Sequence, residues 1–161
     1  MLSQRFVAFK NSFLYAFRGI RYTVAHERNM RFHLSAAVLV TAFSVVYGLS
    51  AAEYGSLFFA VGLVLVCETL NTAVEKAVDL ASPEKHPLAA IAKDAAAGAV
   101  LLAALTSVVI GLCLFLRFPK LTDTLLHIVT SPGLLILFIA LAVTGFFFTF
   151  FGDKLFDRHK Q

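Results

Sequence analysis

The sequence predicts an all-α integral membrane protein: an N-terminal amphipathic surface helix, three core transmembrane helices and a fourth, C-terminal transmembrane helix. Three observations lead there. Of 161 residues, 59% are hydrophobic and 15% charged, whereas soluble domains average about 45–50% and about 25%. Mean hydropathy is +0.81. The apolar residues are gathered into runs that match the roughly 20 residues a helix needs to cross a bilayer. A soluble fold of this length could not cover so much apolar surface. Disorder is excluded as well, since disordered chains are poor in aromatic residues and Phe alone occurs 17 times here.

The elements follow in order. Phe6, Phe9, Phe13, Phe17, Ile20 and Val24 recur at helical spacing, while Arg5, Lys10, Asn11, Arg18 and Arg21 occupy other positions. Phe on one side and cations on the other predict a helix over residues 3–28 lying in the membrane interface. The first span is expected at about 32–49, closed by the polar turn Ser50 to Glu53. The second, at about 54–81, is purely apolar only to Cys67 and then carries Glu68, Asn71, Glu75 and Asp79. The two prolines of S-P-E-K-H-P-L-A-A-I-A-K-D mark a loop, with the third span beyond it at 95–118. Ser131-Pro132-Gly133 opens the extra span at 133–151. The chain thus divides into residues 1–118 and a C-terminal extension, 119–161.

Charge sets orientation. Segments 1–31, 76–94 and 152–161 hold twelve of the fourteen Lys and Arg residues, and the 117–132 loop holds the other two. With four spans, the positive-inside rule puts both termini in the cytoplasm. Net charge +4 is expected to meet anionic lipid, not nucleic acid. The start M-L-S-Q-R-F-V-A-F-K has no apolar core or cleavage site, so no signal peptide is expected. Cys67 and Cys113 lie in apolar runs and are expected to be small packing residues.

An Asp or Glu near the centre of a membrane helix costs about 2.5–3.5 kcal/mol on insertion scales. Taking Glu68 as the zero of a helical wheel, Glu75 falls at about −20°, Asp79 at about +20° and Asn71 at about −60°. One face of one helix therefore carries three carboxylates and an amide, of which Asp79 is as readily a solvated surface residue. Such a stripe fits a hard-cation site for Mg²⁺, which takes one or two carboxylates plus substrate phosphates. It also fits proton handling by a desolvated carboxylate, as in a small proton-coupled transporter. The phosphate-handling reading needs a positive partner, and Lys93-Asp94 supplies one at the loop before the third span. Glu27, among Arg21, Arg28 and Arg31, adds a further carboxylate just before the first span.

The blocks A-H-E-R-N-M-R-F-H, C-E-T-L-N-T-A-V-E-K-A-V-D and A-K-D-A-A-A-G-A-V-L-L resemble, in order and spacing, those of the small bacterial diacylglycerol kinase / undecaprenol kinase family. The resemblance covers about residues 5 to 118. It implies a multi-pass protein of the bacterial plasma membrane, a homotrimer with active sites shared between subunits, and transfer of the ATP γ-phosphoryl group to the hydroxyl of a membrane lipid. Carried over position by position, Glu68 resembles the family's general base and Asn71 its active-site Asn. Glu27 and Glu75 resemble the carboxylates that hold Mg²⁺ with ATP. Lys93 and Asp94 match the nucleotide-binding pair, with Glu84, Lys85 and His86 where the loop meets the nucleotide and Tyr15 as an N-terminal aromatic at the same site. The wording A-K-D-A-A-A-G favours undecaprenol as acceptor, with diacylglycerol the alternative and the transporter the rival from another class.

Two features depart from the minimal family pattern. There is no Trp, so Phe and Tyr must anchor the interface. Residues 119–161 lie beyond the usual end of the fold, and their removal is expected to leave activity largely intact.

Overall fold

The computed structural model describes residues 2–84 and 86–157, and among them only helices and short connections occur. Seven helices follow one another: α1 (Leu2–His26), α2 (Arg28–Tyr47), α3 (Ala51–Ala81), α4 (Pro87–Phe115), α5 (Lys120–Thr130), α6 (Pro132–Phe151) and α7 (Asp153–Asp157). Helices α2, α3, α4 and α6 are long and apolar enough to cross a membrane. Their outer faces are large and apolar, with Phe59, Leu102 and Ile136 each 67% exposed. Apolar faces of this size on helices of spanning length belong in a bilayer, so the chain is a membrane protein.

Local chemistry explains the boundaries and corrects several expected ones. The surface helix ends at His26 and α2 starts at Arg28, which leaves Glu27 as a single extended residue (φ −101°, ψ 115°) between them. Helix α2 stops at Gly48, whose left-handed φ of 71° lets its N–H return to Ser44 O; only glycine takes that conformation without cost. Ser50 and Glu53 form a reciprocal capping box that starts α3. The helix that carries the third span begins at Pro87, eight residues ahead of the expected span. Proline is well tolerated in the first helical turn, where its missing N–H would be unpaired anyway, and His86 Nδ1 accepts from Leu88 N–H at 3.2 Å. The expected 117–132 loop contains α5, whose Thr124 and Ile128 are buried.

Helices α3 and α4 form the most extensive antiparallel pair, α2 packs on α3, and α6 packs along the other side of α2. At the α2–α3 turn the bundle is closed by Tyr47, Leu49, Leu57 and Leu114, with Phe43 and Phe115 against them. Phe115 meets Phe43 and Tyr47 edge-on, both at 5.2 Å between centroids. The two cations of the 117–132 segment secure this end: Arg117 pairs with Glu53, and Lys120 donates to Gly48 O at 2.9 Å over the Tyr47 ring. Cys67 is half-buried, but Cys113 is exposed on the outer face. Towards the other end, α2, α3 and α4 splay around an apolar groove of about 420 Å³ that includes Ala36, Ala60, Ser107 and Gly111 and reaches His33.

Candidate active site

Helix length places the acidic stripe in depth. At about 1.5 Å per residue, Glu68 lies about 26 Å from the start of α3, close to the far edge of a hydrocarbon layer about 30 Å thick. By the same rise Glu75 and Asp79 stand about 36 and 42 Å along, beyond the hydrocarbon. One continuous 31-residue helix therefore carries carboxylates from the lipid boundary out to water.

Glu68 is 2% exposed and is among the largest fully buried side chains. His33 on α2 faces it, with Nε2 3.3 Å from Glu68 Oε1. That oxygen accepts no directed hydrogen bond. One turn on, Asn71 Nδ2 donates to Glu75 Oε1 at 2.9 Å, while Asn71 Oδ1 is buried with no partner. Buried acceptors are nearly always bonded, so two open oxygens on adjacent turns mark a place built to receive something. Glu27 comes to the same region from the α1–α2 elbow. Burial, then the charge of Glu75, holds its carboxyl above the usual carboxylate range; Glu68 adds to this, and Lys76 and His26 oppose it. As the residue preceding α2, Glu27 makes no side-chain cap to its own helix, which leaves both oxygens for another partner.

These residues fit a hard cation held jointly with phosphate. Among the described residues, no three His, Cys, Asp or Glu side chains converge on one point. Two carboxylates that repel each other, next to an unpaired amide oxygen, suit an Mg²⁺ ion that takes its remaining ligands from ATP and water.

The remaining expected site residues form a second group. Lys93 lies in the second turn of α4, not in a loop, and pairs with Asp79 on α3. The pair shares an open cleft of about 520 Å³ with Glu84 and His86. Asp94 is exposed on the next position of α4. Tyr15 is 61% exposed on α1, with the Arg18 guanidinium 5.9 Å over its ring. Lys85 lies outside the described residues. Within one chain, Glu27, Glu68, Asn71 and Glu75 are thus brought together, whereas Tyr15 and Asp94 are exposed. His33 was missed from sequence, although it stands in the same block as Glu27; a titratable residue just inside a span that faces an intramembrane carboxylate was the available signal. Asp79, read from sequence as either a solvated residue or a member of the stripe, is exposed and is the partner of Lys93.

A sequence model described as prokaryotic diacylglycerol kinase matches residues 14–115, well over half of the chain. The chain belongs to that family. It is similar to the undecaprenol kinase of Bacillus subtilis (47% identical over 113 residues, 70% of this chain and 90% of that protein). It is also similar to the diacylglycerol kinase of Synechocystis (45% over 106 residues, 65% of this chain and 61% of that protein). The diacylglycerol kinase of Escherichia coli is 32% identical over 95 residues, 59% of this chain and 78% of its own length. No solved structure matches. The family member described here is therefore a prokaryotic membrane lipid kinase, with ATP as phosphoryl donor and a lipid as acceptor, and the proton-coupled carrier reading falls away.

Proposed function

We propose that this kinase phosphorylates undecaprenol to undecaprenyl phosphate, with Glu68 as the general base. The observation that carries the catalytic assignment is the burial of Glu68 at the hydrocarbon edge, with His33 beside it and the apolar groove running away from it into the bilayer. A lipid chain lying in that groove would deliver its terminal hydroxyl to Glu68. The small residues Ala36, Ala60 and Gly111 of the groove suit the close approach of an isoprenoid chain. Similarity to the undecaprenol kinase of Bacillus subtilis points the same way.

In the step itself, Glu68 accepts the proton of the lipid hydroxyl as its oxygen attacks the γ-phosphorus. The bond from that phosphorus to the β–γ bridging oxygen breaks, and ADP leaves. Phosphoryl transfer asks for alignment and charge neutralisation more than covalent chemistry. His33 orients the Glu68 carboxylate, while Asn71 holds Glu75. Glu27 and Glu75, with Asn71 Oδ1, would hold Mg²⁺, which supplies charge neutralisation on the phosphate oxygens when bound. Lys93, released from Asp79, meets phosphate at the open cleft that Glu84 and His86 also line; Asp94, Lys85 and Tyr15 complete the proposed nucleotide site. The assembly proposed is a homotrimer with active sites shared between subunits. Helices α1 and α7 touch, which supports both termini facing one side, the cytoplasm of a bacterial plasma membrane.

The test offers undecaprenol and diacylglycerol separately in mixed micelles with γ-labelled ATP and Mg²⁺. Preferential label in undecaprenol is the expected result. Preference for diacylglycerol would replace the acceptor, and label in neither would remove Glu68 as a kinase base.

A further inference from the structure

The span of the C-terminal extension meets the rest of the chain at a sensitive place. Arg31 on α2 is 4% exposed and uses its guanidinium in two directions. One terminal nitrogen donates to Val24 O at 3.0 Å and Ala25 O at 2.9 Å. These carbonyls belong to the last turn of α1, where the helix itself leaves acceptors unpaired. Nε donates across the bundle to Thr149 O on α6 at 3.2 Å. Between the bonded carbonyls and Arg31 stands Glu27, whose own carbonyl accepts from Arg31 N–H at 3.3 Å. A single side chain thus ties the end of α1, the start of α2 and the end of α6 around the elbow.

Helix α6 is shaped for this contact. A Cβ at Gly145 would stand 3.0 Å from Ser35 Cβ, and Ser35 Oγ lies 2.9 Å from Arg31 O and 3.2 Å from Gly145 O. At Gly152, the residue that ends α6, a Cβ would meet first the Phe148 carbonyl of its own chain and then Arg31 Cδ. Arg28, the residue after Glu27, sets its guanidinium 5.8 Å over the Phe150 ring. Every one of the α6 positions lies outside the segment that matches the family.

We propose that α6 is part of the catalytic assembly: by burying and orienting Arg31, it holds the elbow at the angle that presents Glu27 to Glu75. Arg31 and the close-packing Gly145 are positioning residues, and the extension is not dispensable. The inference rests on the assignment of Glu27 to the metal–ATP site. A charged side chain at the lipid boundary would otherwise turn towards headgroups, and the carbonyls of Val24 and Ala25 would lose their donor.

The test uses the full chain in detergent. Gly145→Leu wedges α6 from α2, and Arg31→Lys cuts the link without removing the charge, since an ammonium cannot span both sets of acceptors. Two readouts precede any activity: hydrogen exchange of the amides of residues 24–31 without metal, and binding of Mn²⁺ with a non-hydrolysable ATP analogue, followed by electron paramagnetic resonance. Both variants should exchange faster at the elbow and bind the metal–nucleotide about ten- to hundredfold more weakly. Exchange in the α3–α4 pair and the KM for lipid should be unchanged. Wild-type Mn²⁺ affinity in Arg31→Lys, with Glu27→Gln weakened, would overturn the proposal and leave the metal assignment standing. Wild-type affinity in Glu27→Gln would remove the metal assignment, and the proposal with it. Should Gly145→Leu fail to insert, Arg31→Lys alone decides.

Discussion

Replacing Glu68 by Gln isolates the proposed proton acceptor, because the amide keeps the shape and loses only the basicity. Glu68 is 2% exposed, and its Oε1 has no directed hydrogen bond to forfeit. The exchange also removes a buried carboxylate, whose desolvation opposes folding, so thermal stability should not fall. Glu75 lies seven residues and about 10 Å further along α3, far enough for nucleotide binding to survive. The loss should therefore fall on the chemical step. A positioned general base contributes about 10²- to 10⁴-fold, which corresponds to about 2.7–5.4 kcal/mol in activation free energy. The assay is transfer of γ-label to undecaprenol in mixed micelles, paired with equilibrium binding of an ATP analogue. A kcat reduced by at least a hundredfold, with nucleotide affinity retained, is the expected outcome. Turnover close to wild type would refute the role, and equal loss of binding and turnover would move Glu68 to the nucleotide site.

Four further outcomes are expected. His33→Gln should lower kcat with KM for ATP unchanged, because the imidazole 3.3 Å from Glu68 Oε1 is the polar group that faces the proposed base; an altered ATP affinity alone would contradict it. Glu27→Gln and Glu75→Gln should each raise the Mg²⁺ concentration for half-maximal activity, and identical titration curves would place the metal elsewhere. The Lys93–Asp79 pair is 38% and 54% exposed, so Asp79→Asn should shift stability by less than about 1 kcal/mol, whereas Lys93→Met should raise KM for ATP. Mixing Glu68→Gln and Lys93→Met subunits, at an ATP concentration where neither variant alone turns over, should restore part of the activity if sites are shared. No gain in the mixed oligomers at that ATP concentration would confine each site to one chain.

The sequence by itself determined the class of fold, the four spans and the acidic stripe on α3, because hydropathy and the helical repeat are local properties. Blocks around Glu27, Glu68 and Lys93 were enough to indicate the family. Local rules misled where one residue type serves two purposes. The loop marked by the two prolines before Lys93 is present but ends sooner than the sequence suggested, since Pro87 already sits in the first helical turn, where proline fits. The polar 117–132 segment likewise hid α5, a helix too short and too amphipathic to announce itself. Only the tertiary structure decided the partners. His33 meets Glu68, Lys93 meets Asp79, and Arg31 reaches Thr149 across 118 positions. None of these follows from periodicity, since each depends on which faces of separate helices are pressed together. A span that reads as an unassigned appendage is, in three dimensions, packed against the turn that carries Glu27.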